Sequence, residues 1–332
     1  MCKLSVIIPA YDAEKFVIRC LDSVLASINI NDYEIIIIDD GSTDKTIEIL
    51  NTYVYNHNDT CIRIIHQENS GQGVARNKGL TLANGKYVMF LDIDDSINPI
   101  DFDYYYHVAE SKNLDLLRFA FKVYDAEGHF SISQMLQFND NKVYSGQEAV
   151  LMDYTIGSAC GTLFRRDFLI KFGFNFRDDM AHEDCEFMLR LLPKVNQMMV
   201  SSACLYTYCW NANSTDRAKS VRNIVRLKQS DILVAESYFV TADKESLDSP
   251  IKKYYHRKGN SLLTQFLLSL ICQTKQLSLN EKKRLLSFAS SQGVYPTISL
   301  RTLSWKTTLL LFFLNRPMIE KSLLRLFNRK RN

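Results

Sequence analysis

The chain has 332 residues, 46% hydrophobic and 23% charged, which at roughly 150 residues per domain allows about two domains with buried cores and excludes a disordered chain. Lys and Arg number 40 against 37 Asp and Glu, a balance that excludes whole-molecule attraction to nucleic acid. The charge is uneven along the chain: between Arg301 and Arg331, eight basic residues face Glu320 alone, so a basic-surface function belongs to that tail.

Hydrophobic periodicity predicts the elements in order. Residues 4–8 read as an apolar strand entered almost from Met1, with none of the zones of a signal peptide. The eight cysteines, Cys2, Cys20, Cys61, Cys160, Cys185, Cys204, Cys209 and Cys272, include no C-x-x-C pair, which disfavours a zinc or redox motif and suggests reduced thiols. The longest apolar runs fall far short of the roughly 20 residues that span a bilayer. The expected location is therefore cytoplasmic.

A helix over 14–28, a strand over 34–38, a helix over about 45–55 capped by Ser42 or Asp44, a strand over 62–65, a helix over about 72–83 and a strand over 87–91 follow. Strands alternating with helices predict an α/β domain built on a parallel sheet. After Asp95 the spacing predicts a helix beyond Pro99, a strand near 114–124, a helix from near Ser145 and a helix over 182–192 with Phe187, Met188, Leu191 and Leu192 inward. From about 217 onward only helices are predicted, broken near 248–250, 293–296 and 316–317. The expected organisation is a domain over 1–220 and a helical C-terminal region over 221–332.

In an open parallel sheet, ligands sit beyond the carboxyl ends of the strands. Here the first strand ends in Pro9-Ala10-Tyr11-Asp12, the second in Asp39-Asp40-Gly41-Ser42 and the fourth in Asp92-Ile93-Asp94-Asp95. An Asp-Gly pair alone is a turn signal, and Asp-x-Asp alone is a weak motif. Clustered at one sheet edge, however, such carboxylates repel one another and call for a cation. Oxygen ligands favour Mg²⁺ or Mn²⁺ completed by water and phosphate, so a metal-bridged diphosphate is the expected guest. Gly71-Gln72-Gly73 is followed by Arg76 where a dinucleotide fingerprint needs glycine, and no Walker-type phosphate loop is present.

Four ordered segments, Ser5 to Asp12, Asp39 to Asp44, Asn69 to Asn77 and Phe90 to Asp95, followed by Leu163 to Arg166, His182-Glu183-Asp184 and Tyr206-x-Tyr208, resemble the family 2 glycosyltransferases with the GT-A fold. The resemblance covers about residues 3–215 and implies a Rossmann-like, mostly parallel sheet flanked by helices. It implies further that Pro9, Ala10 and Tyr11 line the base pocket of a nucleotide-sugar donor, a UDP-sugar first, and that Asp40 accepts from the base. Arg76 would lie near the nucleotide and phosphates, Asp92 would face the ribose or sugar, and Asp94 with Asp95 would hold Mn²⁺ or Mg²⁺. Asp184 would be the catalytic base and Glu183 would orient the acceptor or a loop. First-turn acids stabilised by the helix dipole are the bland reading of that last pair.

The chain departs from the family at Ser158 to Thr162, where an aromatic residue and a lysine are usual, and after Tyr208, where Cys209, Trp210, Asn211 and Ala212 replace basic residues. Phosphate neutralisation then falls to the metal, Arg76, and Arg217 or Lys219. The acceptor implied is a saccharide or a lipid-linked glycan of cell-surface polysaccharide synthesis. Residues 305–331 interleave apolar positions with Lys321, Arg325 and Arg329 in a pattern suited to an anionic membrane surface, which suggests peripheral association at the inner face of the membrane. A sugar-phosphate nucleotidyltransferase would carry a glycine-rich basic loop where Ala10 to Glu14 stands, and a non-catalytic module would lack a metal or base carboxylate.

Overall fold

The computed structural model describes residues 2–57, 61–133, 138–154, 157–211, 214, 217, 219–272, 274 and 276–295. They fall into two compact units, Met1–Asp178 with Leu191–Ala212, and Asp179–Arg190 with Asn213–Asn332.

The first unit alternates β1 (Leu4–Ala10), α1 (Val17–Ser27), β2 (Tyr33–Asp39), α2 (Thr46–His57), β3 (Ile62–His66), α3 (Gln72–Leu82) and β4 (Tyr87–Phe90). Strand β1 is buried throughout and β2 over its last five residues, as expected of strands covered on both faces. β1 pairs in parallel with both β2 and β4, so the strand order reverses beside β1 and the loops after β1, β2 and β4 leave the same edge. Helix α3 lies close on β1 because Gly79 has no side chain: a Cβ there would come within 2.3 Å of Ile7 Cγ2.

The chain continues through β5 (Ser96–Ile97), α4 (Phe102–Ser111), β6 (Leu116–Tyr124), β7 (Phe130–Ile132), α5 (Gly146–Leu151), β8 (Thr162–Arg165), α6 (Arg166–Lys171), α7 (Glu183–Leu191) and β9 (Met198–Tyr208). The strands form one sheet in the order β3-β2-β1-β4-β8-β6-β9-β5, with β7 paired to β6. It is parallel from β3 to β4 and mixed beyond, since β8 runs antiparallel to both β4 and β6. β8 and β9 were not anticipated from periodicity. β8 has four residues, and Ser201-Ser202-Ala203 interrupts the apolar run of β9 where its ladder with β6 shifts register.

In the second unit, α8 (Val221–Asp243), α9 (Pro250–Cys272) and α10 (Leu279–Ser291) enclose a core that includes Ile232, Leu263, Phe266, Leu270, Leu285 and Ala289. Helix α7 joins this unit through buried Glu186, which takes Arg190 Nε at 2.6 Å and the Ser237 hydroxyl at 2.9 Å. Among the described residues no helix is long and apolar enough to cross a membrane. The expected basic amphipathic tail, 305–331, lies outside the described residues.

Candidate active site

The loops after β1 and β2 are stitched to each other before any ligand is considered. Asp12, held at a φ of 44°, accepts the Thr43 N–H at 2.7 Å while its own N–H donates to Ser42 Oγ at 3.1 Å. Asp44 accepts the N–H groups of Glu14 and Thr46 at 3.1 and 2.9 Å, and Thr46 Oγ1 accepts the Ala13 N–H at 2.7 Å. Pro9 and Ala10 are buried at the end of β1, whereas Tyr11 is 48% exposed, which excludes a core role for its ring and leaves it beside the sheet edge.

Asp40 is buried and organises the start of α3. Its Oδ1 accepts the Gln67 amide at 2.7 Å and the Ser70 N–H at 2.8 Å, and its Oδ2 accepts the Gly71 N–H at 2.7 Å. Gly41 adopts a φ of 75°, and a Cβ there would press on the Asn69 nitrogen at 2.8 Å, so the turn after Asp40 requires glycine. Asp39, fully buried, meets His66 Nδ1 at 2.5 Å.

Arg76 on α3 is 1% exposed, not a solvated helix residue. Its Nη2 donates to Asp92 Oδ1 at 2.6 Å and its guanidinium lies 5.4 Å from the Phe176 ring centroid. Reciprocal bonds between the Asn77 side chain and the Phe176 backbone, both 2.8 Å, keep that ring in place.

The loop from Asp92 to Asp95 carries three carboxylates with unequal surroundings. Asp92 and Asp94 are half-buried, and Asp94 Oδ2 accepts the Asn211 amide at 2.8 Å. Asp95 is buried, and both its oxygens are engaged, Oδ1 by the Cys209 N–H at 2.8 Å and Oδ2 by the Tyr206 hydroxyl at 2.5 Å. Burial, then the neighbouring Asp92 charge, pushes the Asp94 carboxyl up. Burial, then Asp92 and Asp94, pushes Asp95 up to about 8. A divalent cation relieves that repulsion, and an oxygen-only donor set suits Mg²⁺ or Mn²⁺.

Among the described residues, three His, Cys, Asp or Glu ligand atoms fall within 4.8 Å of one another at Asp125, Glu127 and His129. Those residues are exposed in the turn between β6 and β7, and Asp125 Oδ1 there caps the N–H groups of Glu127 and His129 at 3.1 and 2.8 Å. Among the described residues, the Asp92–Asp95 carboxylates do not form such a group.

Glu183 and Asp184 open α7, in the second unit. Glu183 is buried, and Asp184 is half-buried with Oδ1 accepting the Cys185 N–H at 2.7 Å. Arg217 and Lys219 also belong to the second unit. Sequence reasoning gave no role to Tyr206, Asn211 or Arg19, whose guanidinium donates to the main-chain oxygen of Asp94. Only the Tyr206-x-Tyr208 pattern pointed toward one of them.

The family described as "Glycosyl transferase family 2" matches residues 5–173. The chain belongs to this family. The glycosyltransferase EpsJ of Bacillus subtilis (strain 168) is 30% identical over 221 residues, 64% of this chain and 62% of EpsJ. The chain thus spans less than two thirds of the length of curated relatives such as this one. The crystal structure of S. aureus TarS 1-349 in complex with UDP superposes with a TM-score of 0.68 at 19% identity, covering 99% of this chain and 90% of that one. The mannosyltransferase PcManGT from Pyrobaculum calidifontis, in complex with GDP-Man and Mn2+, gives a TM-score of 0.54 at 15% identity over 94% and 86% of the two chains. These likenesses confirm the expected α/β GT-A fold.

Proposed function

We propose that the chain is a metal-dependent, inverting glycosyltransferase that moves a sugar from a nucleoside-diphosphate sugar, a UDP-sugar first, to a hydroxyl of a saccharide or lipid-linked glycan in cell-surface polysaccharide synthesis. The observation that carries this reading is the Asp92–Asp95 loop, whose Asp92 and Asp94 carboxylates are half-buried after β4, the parallel neighbour of the β1 strand that the exposed Tyr11 follows. The TarS complex with UDP and the PcManGT complex with GDP-Man and Mn2+ support it by likeness of fold.

In this reading Tyr11 stacks on the base, Pro9 and Ala10 wall the pocket, and Asp40 accepts a hydrogen bond from the base. Arg76 fixes Asp92 toward the ribose or sugar. Asp94, with Asp95, would hold the Mn²⁺ or Mg²⁺. That cation, when bound, supplies neutralisation of the departing diphosphate. Asp184 takes the acceptor hydroxyl's proton as its oxygen bonds to the anomeric carbon, while the bond to the diphosphate breaks and its electron pair leaves with the nucleotide. Burial of Glu183 suits orientation of the helix start over contact with the acceptor. Catalysis is assigned to residues 1–220, and the basic stretch 305–331 to an anionic membrane at its cytoplasmic face. Failure to bind anionic liposomes at low salt would remove that last assignment.

The test of the reaction is hydrolysis or transfer with a panel of nucleotide sugars and Mn²⁺. Asp94→Ala should abolish metal-dependent donor binding, whereas Asp184→Asn should keep it and stop transfer. Equal loss of binding in both variants would overturn the assigned roles.

A further inference from the structure

Among the described residues of the first unit, two arginines lie against the acidic loop, in opposite electrostatic situations. Arg76 is buried and its charge is matched by the Asp92 carboxylate at 2.6 Å. Arg19, on the first turn of α1, is exposed; it donates to the main-chain oxygen of Asp94, and its guanidinium lies 5.5 Å from the Phe16 ring centroid. A carbonyl oxygen occupies one of five guanidinium donors and cancels none of the charge. The ring and the carbonyl hold that cation against the main chain of the residue assigned to the metal.

A nucleoside diphosphate brought to this loop adds its negative charge to that of Asp94, and one dication does not balance both. Positions 209–211, directly after Tyr208, offer no basic residue, since Cys209, Trp210 and Asn211 stand there, and Arg217 and Lys219 belong to the second unit. Drawing Arg76 onto phosphate would part its buried guanidinium from the half-buried Asp92 carboxylate, a costly exchange. Arg19 carries no such penalty, and its planar fork suits phosphate oxygens.

We propose that Arg19 binds the diphosphate of the donor and stays with it as the nucleotide departs. The inference rests on the reading of the Asp92–Asp95 loop as the donor's phosphate site. It is tested by isothermal titration of wild type, Arg19→Gln and Arg19→Lys with UDP and with uridine, each with Mn²⁺ present. Arg19→Gln should weaken UDP roughly 10–100-fold, the range of one charged hydrogen-bonding partner, with uridine affinity unchanged and Arg19→Lys between. Unchanged UDP affinity in Arg19→Gln, or equal weakening of UDP and uridine, would overturn the role of Arg19 and leave the loop assignment standing. Wild type that binds UDP no better than uridine would instead sink the loop assignment and this inference with it.

Discussion

Tyr206 donates its hydroxyl to Asp95 Oδ2 at 2.5 Å from a position 1% exposed. The Tyr206 hydroxyl oxygen also accepts the Asp92 N–H at 3.4 Å, so one phenol ties both ends of the acidic loop, and its ring packs 4.8 Å from that of Phe121. Tyr206→Phe keeps the packing and leaves two buried groups short of a partner, at about 1–3 kcal/mol for each. The Mn²⁺ dissociation constant should rise about tenfold, with kcat/KM falling in step, by calorimetry and initial rates. Unaltered Mn²⁺ affinity would show that the loop keeps its shape without the hydroxyl.

The raised Asp95 carboxyl gives the proposed metal site a pH signature. Burial, together with Asp92 and Asp94, raises its carboxyl to about 8. A carboxyl that holds its proton more tightly folded than unfolded stabilises the fold below its unfolded pKa, and that contribution is lost as pH rises through the folded value. In EDTA, Asp95 should therefore lower stability between roughly pH 4 and about pH 8. Mn²⁺ should offset the loss and its binding should release protons across the same window. Denaturant titrations with EDTA or Mn²⁺ would show this, and identical pH profiles in the two would contradict it.

Arg118 holds the segment in which the chain departs from its family. Its Nη1 donates to the Ser158 oxygen at 3.0 Å, the Thr162 hydroxyl at 2.8 Å and the Cys160 oxygen, while its guanidinium lies 4.4 Å from the Phe121 ring centroid. Arg118→Met should lower stability by about 1–3 kcal/mol for each buried acceptor left alone and loosen discrimination among donor sugars. Arg118→Lys should restore only part of either, because its side chain is shorter and an ammonium lacks the planar face that lies over the Phe121 ring. Thermal melts and a nucleotide-sugar panel provide the measurement, and a full recovery in Arg118→Lys would reduce the role to charge.

Tyr11 is exposed, so its removal should touch binding and leave the fold alone. Tyr11→Ala should weaken UDP by about 1–3 kcal/mol, the usual worth of a base stacked on an aromatic ring, with an unchanged melting temperature. Equal affinity in the two proteins would place the base elsewhere.

The parallel half of the sheet was readable because strands covered on both faces appear as unbroken apolar runs between helices of 3.6-residue period. β9 was not, since its serines break the run where the ladder with β6 changes register. At the site, the acids at the strand ends were visible, but their partners were not. Asp40 is met by the N–H groups of Ser70 and Gly71 thirty positions away, and backbone donors leave no mark on residue identity. Asn211 and Arg19 lack any local signature, because their value comes from meeting Asp94 across 117 and 75 positions.

The grip of Arg118 on Ser158 and Cys160 falls on their carbonyls, which every amino acid possesses. The path of that stretch is thereby dictated from beneath, by one strand residue, while the identities displayed along it are left open to exchange. Related enzymes keeping this arginine could diversify what they recognise there one substitution at a time, with no need to rebuild the scaffold.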